Sequence, residues 1–338
     1  MCGIAGHIDF AGDRSAANNE RLAQAMSDAL WHRGPDSAGV AEPIRGTWFA
    51  FRRLAILDTS EAGNQPMFTP DRLGCIVFNG EGYNAAELRA ELEGAGYRFR
   101  GHSDTEAILY GCRHWGVEDT VRRLTGMFAF AYVDLRSRTL TLARDRLGKK
   151  PLYWFKTERA FAFASELKAL VRHPSCPREI DRASIAEFLR YLYVPAPHTI
   201  YTGVSKLEPG QILDLSLEDR SITATSYWTL REAVQRAKLD PFRGTPSEAV
   251  EEAEALLRDA TRDRLISDVP LGAFLSGGVD SSTIVALMQE LASGPVRTFS
   301  IGYSNKEYDE SADAERIAAH LGTDHTTFRV EPDDAMAV

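Results

Sequence analysis

The apolar positions of this chain follow two rhythms. Residues 127–133, 139–143, 152–155 and 160–164 are dense apolar runs, separated by turns at 135–138 and 156–159. Connections that short, with no helix between them, predict an antiparallel sheet. Upstream, Leu22, Ala25, Met26, Ala29 and Leu30 recur at helical spacing over 18–31, which predicts an amphipathic helix. Residues 48–57 read as a strand or hairpin, and 73–78 as a buried strand closed by a turn at Asn79-Gly80-Glu81. Asn84 opens a helix over Leu88 and Leu92, and Ser103-Asp104-Thr105-Glu106 is a capping box ahead of a helix over 108–115. Asp181 caps a helix over Ile185, Phe188, Leu189 and Leu192, which Pro195 and Pro197 bring to an end. A last hairpin, around Leu207-Glu208-Pro209-Gly210, leads to Leu215. Helices flanking antiparallel sheets predict a layered α+β domain over residues 2–216.

The second rhythm starts after a polar stretch, 217–243, that reads as a linker. Thr245-Pro246-Ser247-Glu248 is a capping box with proline at the first helical position. The helix it opens carries Val250, Ala253, Leu257 and Ala260 on one stripe and ends before Pro270. A short strand over 273–275 runs into Ser276-Gly277-Gly278-Val279-Asp280-Ser281-Ser282, and a helix over Ile284, Leu287, Met288 and Leu291 follows. A strand over 297–301 comes next. Tyr308-Asp309-Glu310-Ser311 then caps a helix over Ala314, Ile317, Ala318 and Leu321, stopped at Gly322. Strand–helix–strand–helix predicts a parallel, doubly wound α/β sheet over 244–338, with ligands at the strand C-termini. Only two strands are expected there, against about five or six in a typical sheet, so this domain is expected to be incomplete.

Composition narrows the field. The chain has 338 residues, 44% hydrophobic and 26% charged, enough for two or three soluble domains. A net charge of −9 argues against a general nucleic-acid binder. No apolar run approaches the ~18 residues of a membrane span, and no signal peptide opens the chain. Cys2, Cys75, Cys112 and Cys176 form no CxxC and no metal spacing. Such usage fits a reducing cytoplasm.

The candidate chemistry lies at particular residues. A cysteine directly after the initiator Met1 can become the first residue of the mature chain. It then carries a thiol and a free α-amine on one Cα, a nucleophile beside a candidate base. Their ordinary pKa values, about 8.5 and 7.7–8, are close enough for easy proton transfer. Gly3 leaves room for a close approach. Arg52 and Arg53 read either as a solvated strand face or as a cation for a substrate carboxylate. Asn79 and Gly80 read as a plain turn or as an oxyanion hole. Asp104 reads as helix-end chemistry or as a partner for an ammonium. The charged run at 144–151 reads mainly as a structured turn. The Ser276–Ser282 string, between a strand and a helix N-terminus, presents N–H groups, hydroxyls and the helix dipole to phosphate. It lacks the Gly-Lys-Ser/Thr of a Walker loop. Asp280 would repel phosphate directly and is the candidate Mg²⁺ ligand.

Taken together, Cys2-Gly3-Ile4, His32-Arg33-Gly34-Pro35-Asp36, Arg53-Leu54-Ala55-Ile56-Leu57-Asp58, Asn79-Gly80-Glu81, Ser103-Asp104-Thr105-Glu106 and Ser276-Gly277-Gly278-Val279-Asp280-Ser281 resemble glutamine-dependent asparagine synthetases, which are class II glutamine amidotransferases. The resemblance implies a four-layer αββα N-terminal-nucleophile domain joined to an ATP-pyrophosphatase-type synthetase domain. It implies that Cys2 attacks the glutamine side-chain amide and that Arg53 holds the glutamine carboxylate. Glu81 and Asp104 then hold the ammonium, Asn79 and Gly80 form the oxyanion hole, and backbone at Ile56 and Leu57 lines the pocket. Leu275 and Ile301 match ATP-contacting positions beside Ser276, Gly277, Gly278, Asp280, Ser281 and Ser282. Glutamine, aspartate and ATP are the implied substrates, with Mg²⁺. Aspartate is activated as β-aspartyl-AMP, and ammonia arrives by an internal channel. A homodimer is compatible with the family.

Two departures stand out. Gly82 occupies a position that is usually bulky and apolar in the family, which is expected to loosen that loop. The family's synthetase domain also continues well past this endpoint, with a second, acidic ATP-contacting loop, so the aspartate site is not placed. Other readings therefore stand beside the synthetase. One is a relative that amidates another carboxylate. Another is a truncated chain with glutaminase or nucleotide-binding capacity only.

Overall fold

Gly3–Asp9 (β1) is buried at six of its seven positions, as a strand covered on both faces must be. The computed structural model describes residues 2–305, 309–331 and 334. Helix α1 (Ala16–Asp28), capped by the Ser15 hydroxyl, leads to the hairpin of β2 (Ser37–Ile44) and β3 (Thr47–Arg53). Strands β4 (Met67–Phe68) and β5 (Gly74–Gly82) precede helices α2 (Ala85–Gly94), α3 (Asp104–His114) and α4 (Val117–Arg123). Then come β6 (Gly126–Asp134), β7 (Thr139–Arg144), β8 (Tyr153–Lys156) and β9 (Ala160–Ala164). The short α5 (Leu167–Leu170), α6 (Arg182–Tyr191), β10 (Val204–Lys206), β11 (Gln211–Ser216), β12 (Ile222–Ser226) and α7 (Leu230–Leu239) complete the first unit, which spans Met1–Leu239.

Two six-stranded sheets result, ordered β10-β8-β9-β1-β3-β2 and β12-β11-β7-β6-β5-β4. Strand alternation gives each sheet one inner and one outer face. The inner faces meet through Ile4, Phe49, Phe51 and Phe163 on one side and Val77, Ala131 and Leu142 on the other. Ala23, Met26 and Leu170 of α1 and α5 cover the outer face of the first sheet. Leu88, Leu92, Ile108 and Val121 of α2, α3 and α4 cover the outer face of the second. The layering is αββα.

The second unit, Asp240–Val338, holds α8 (Pro246–Asp263), β13 (Gly272–Phe274), α9 (Val279–Leu291), β14 (Arg297–Tyr303), α10 (Ser311–Leu321) and β15 (Asp324–Val330). Among the described residues its strands are three and parallel, in the order β13-β14-β15. A small core of Leu275, Val285, Ala314 and Ala318 binds them to the helices.

Several expectations change. Asn79-Gly80-Glu81 is not a turn: it lies inside β5 and pairs with Ala129, Phe128 and Met127 of β6. The glycine serves close backbone approach, since a Cβ on Gly80 would run into the Met127 carbonyl oxygen. Gly82 closes the same strand, and its N–H donates to Asp104 Oδ2 at 2.8 Å, so no loosened loop follows it. Ala23, not Ala25, faces the core from α1. The Ser103 hydroxyl caps α3, but Glu106 turns its carboxylate to the Arg100 and Gly101 N–H groups, so the box is half formed. At Thr245 both halves are present. The stripes on α6 and α8 are largely exposed, with Leu189 at 74% and Leu192 at 81%, because helical spacing marks a face that seeks cover without supplying it. Strands β2 and β15 and helix α4 were not anticipated. The 217–243 stretch carries β12, which pairs with β11, and α7. Tyr308 lies outside the described residues, while Asp309 accepts the Ser311 N–H at 3.0 Å.

Candidate active site

Cys2 stands at the start of β1, half-buried, with its Sγ 3.6 Å from the Leu54 carbonyl oxygen. Met1 lies outside the described residues. Cys2 opens on a narrow cavity of about 30 Å³ lined also by Arg53, Ile56, Leu57, Gly80, Glu81 and Asp104. That is well below the roughly 300 Å³ or more of a typical small-molecule pocket, so the unliganded cavity is nearly closed around its polar groups. Burial pushes the thiol above its usual range, and the Asp104 and Glu81 carboxylates add to the effect.

The cavity is electrically polarised. Arg53, at the end of β3, is buried. Its Nη1 donates to the Ser60 carbonyl at 2.8 Å and to Asn64 Oδ1 at 2.9 Å, and its Nη2 to the Leu57 and Asp58 carbonyls. Among the described residues no carboxylate pairs with it. A buried cation held by neutral acceptors is well suited to an incoming carboxylate. Glu81, near the end of β5, is pushed up to about 7, first by burial and then by the Asp104 charge, against the pull of the Lys150 ammonium. Burial likewise raises Asp104, opposed by the Gly82 and Thr105 N–H groups. Two carboxyls with raised proton affinity on one cavity call for a cation between them.

β5 also supplies donors. The Phe78 N–H and carbonyl both bond to the Gln65 side chain, at 2.6 and 3.3 Å. Phe78 therefore presents its peptide groups away from β6, and strand alternation turns the Gly80 N–H the same way. The two-residue β4 does not reach that far: its partners on β5 are Cys75 and Ile76. Asn79 takes the opposite face, with Val77 and Cys75, toward the inter-sheet core against which Cys2 packs. It does not line the cavity. Its side chain is wholly buried, yet neither Nδ2 nor Oδ1 has a partner among the described residues. An unsatisfied buried amide is costly and calls for an explanation; a ligand oxygen would satisfy Nδ2 alone and leave Oδ1 unpaired.

Residues that sequence reasoning left without a role also shape this site. Arg33 Nε donates to the Cys2 carbonyl at 2.9 Å, and Asp36 Oδ2 accepts the Ala55 N–H at 2.8 Å. The signal was there, since the 32–36 motif was among those carrying the resemblance. Gln65, Ser103 and Thr105 line the cavity, and for Gln65 the sequence held no signal.

In the second unit the expected phosphate loop follows β13. Leu275 is buried and extends the sheet through its N–H to the Phe299 carbonyl at 2.8 Å. Ser276, Gly277 and Gly278 turn the chain into α9, whose first turn carries Asp280, Ser281 and Ser282. The Ser276 and Ser281 hydroxyls bond each other at 2.8 Å, and Ser282 Oγ bonds the Gly278 carbonyl at 2.7 Å. Gly277 must be small, because a Cβ there would lie 2.9 Å from Asp313 Cβ. Ile301 sits on β14 at the same, C-terminal end of the parallel strands. Asp280 is exposed, and among the described residues no three His, Cys, Asp or Glu side chains gather as a metal site.

Comparison with known proteins reads the two units separately. A family described as "Glutamine amidotransferase domain" matches residues 1–228. The chain belongs to the glutamine amidotransferase family. A second family, described as "Asparagine synthase", matches residues 252–338, behind the amidotransferase domain. Asparagine synthetase [glutamine-hydrolyzing] 1 of Bacillus subtilis is 36% identical, covering 99% of this chain and 51% of that protein. Its namesake 3 from the same organism is 34% identical, covering 96% and 53%. "Amidase chry2" of Gibberella zeae is 32% identical, covering 96% and 50%. The chain thus spans about half the length of these curated relatives. Among solved structures, glutamine phosphoribosylpyrophosphate amidotransferase from B. subtilis aligns over 96% of this chain and 65% of its own, at 15% identity and a TM-score of 0.49. No helix among the described residues is long and apolar enough to cross a membrane.

Proposed function

We propose that this amidotransferase hydrolyses glutamine at Cys2 and delivers the ammonia to an acyl-adenylate made with ATP. The carrying observation is the arrangement around one cavity: a thiol at Cys2, a cation without a carboxylate partner at Arg53, and two proton-hungry carboxyls at Glu81 and Asp104. That pattern fits the carboxylate, the ammonium and the side-chain amide of one α-amino acid.

Once Met1 is removed, the Cys2 α-amine takes the thiol proton as sulfur attacks the amide carbon. The Asn79 amide and the Gly80 N–H are the oxyanion donors. Collapse of the tetrahedral intermediate breaks the C–N bond, the proton passes to the leaving nitrogen, and ammonia departs. Water then cleaves the thioester to glutamate and restores the thiol. Backbone at Ile56 and Leu57 lines the glutamine side chain.

In the second unit, Ser276, Gly277, Gly278, Ser281 and Ser282 hold the ATP phosphates, with Leu275 and Ile301 nearby. Asp280 alone makes a poor Mg²⁺ cage, but Mg²⁺ characteristically takes one or two carboxylates and completes its shell with phosphate oxygens and water. Asp280 is the ligand this chain offers. Aspartate is the proposed acceptor, giving β-aspartyl-AMP and pyrophosphate and then asparagine, in a cytoplasmic and homodimeric enzyme without nucleic-acid or membrane partners. A second reading is amidation of another carboxylate; the Gibberella relative, at comparable identity, is named an amidase rather than a synthetase. Pyrophosphate release with aspartate, set against other carboxylates, separates the two.

The first test is glutamate release by the wild type and Cys2→Ala, with Met1 removal checked by intact mass. Release that vanishes in Cys2→Ala is expected. A folded, Met1-free chain that releases none would overturn the glutaminase reading.

A further inference from the structure

Ser165 and Glu166 directly follow β9, the strand that pairs with β1. The Ser165 hydroxyl accepts the Ile4 N–H at 3.0 Å, and the Ser165 N–H donates to the Ile4 carbonyl at 2.9 Å. Glu166 occupies the position before α5, where Ser, Thr, Asp or Asn is the usual cap. It makes no such cap. Its Oε1 instead accepts from Arg33 Nη1 at 2.9 Å and from His32 Nε2 at 3.0 Å, and its Oε2 lies 3.3 Å from Lys168 Nζ. Burial alone would raise the Glu166 carboxyl, but the bonds from Arg33, His32 and Lys168 hold it below its usual range. Arg33, so held, gives its Nε to the Cys2 carbonyl at 2.9 Å. Neither Arg33 nor Glu166 lines the cavity.

We infer that Glu166 is a positioning residue for the Cys2 nucleophile, acting through Arg33. A residue at the head of a chain is anchored from one side only and tends to fray. Ser165 fixes Ile4, two positions downstream. The Arg33 bond to the Cys2 carbonyl restrains the peptide plane next to the thiol, beside the pairing of Gly3 with Arg52 of β3. Glu166 holds that guanidinium by a single charge-assisted contact at Nη1, the buried Nη2 being without a partner among the described residues. A misplacement of ~1 Å at a reacting atom can cost on the order of 10²-fold in rate.

The inference rests on the glutaminase reading, so the experiment has two arms. In the first, Glu166→Ala is expected to lower kcat for glutamate release by about 10- to 100-fold, with KM for glutamine within about twofold because nothing lining the cavity changes. Glu166→Gln, which keeps an acceptor for Arg33 Nη1, recovers most of the loss. The double variant Glu166→Ala with Arg33→Ala falls no further than Arg33→Ala alone, as expected for residues that act as a unit. In the second arm, iodoacetamide labels Cys2, the half-exposed cysteine, the other three being buried. Its labelling rate is expected to change several-fold in Glu166→Ala but not in Glu166→Gln, at unchanged melting temperature. Unchanged kcat in Glu166→Ala, multiplicative losses in the double variant, or unchanged labelling would overturn the inference. A wild type that labels at Cys2 but releases no glutamate would overturn the glutaminase reading instead, and the labelling arm would still decide the clamp.

Discussion

Without a ligand, Glu81 and Asp104 are neighbouring carboxyls shielded from water. The folded chain holds Glu81 at about 7, above the ~4.3 of an unhindered glutamate. Between those values the folded state keeps a proton that the unfolded state has released, so stability declines as pH rises across the window. Glu81→Gln removes this penalty. It is expected to raise the melting temperature at pH 8, where the penalty reaches up to about 4 kcal/mol, and to leave it nearly unchanged at pH 4. Equal shifts at both pH values would show that the gain has another source. For an incoming ammonium the sign reverses. KM for glutamine is expected to rise as pH falls below about 7, and a pH-independent KM between 6 and 8 would count against Glu81 as its partner. Residues of this kind were legible because the motifs named them: Cys2, Arg53, Glu81 and Asp104 all face one cavity. Gln65 and Glu166 were not, because each takes its role from partners 13 to 133 positions away, and no local pattern encodes that.

At the level of elements, the strand β5 was half legible. Its apolar run was plain, but a polar-Gly-acid string reads as a turn unless its partner strand is known. Here β6 supplies the ladder through Gly82↔Gly126. Gly80→Ala would drive a Cβ into the Met127 carbonyl. It is expected to cost about 2 kcal/mol or more by denaturant titration, because backbone on both strands must shift. Leu189→Lys on the exposed stripe of α6 is expected to change stability by no more than about 0.5 kcal/mol. A large loss there would mean that the stripe is covered in solution. The helical spacing that suggested burial on α6 and α8 was read correctly as periodicity. What it could not carry was the identity of the neighbour.

Across the whole molecule the two units are unequally built. Among the described residues the first has three core clusters, rich in phenylalanine and leucine; the second has one, of Leu275, Val285, Ala314 and Ala318. Limited proteolysis is therefore expected to cut first within 240–338 and to leave a resistant fragment close to Met1–Leu239, since protection follows buried apolar contact. The layered architecture was readable from run lengths and connections, while the strand order was not, because it joins β1 to β9 across most of the first unit. That pairing bears on how the protein is made. Ile4 meets Ser165, 161 positions later, an interval of about 8–32 s at a ribosomal pace of ~5–20 residues per second. For most of that time β1 has its β3 neighbour but not β9, and the thiol at its head is without Ser165 and Glu166. The nascent chain thus carries its nucleophile unassembled until most of the first unit has been translated.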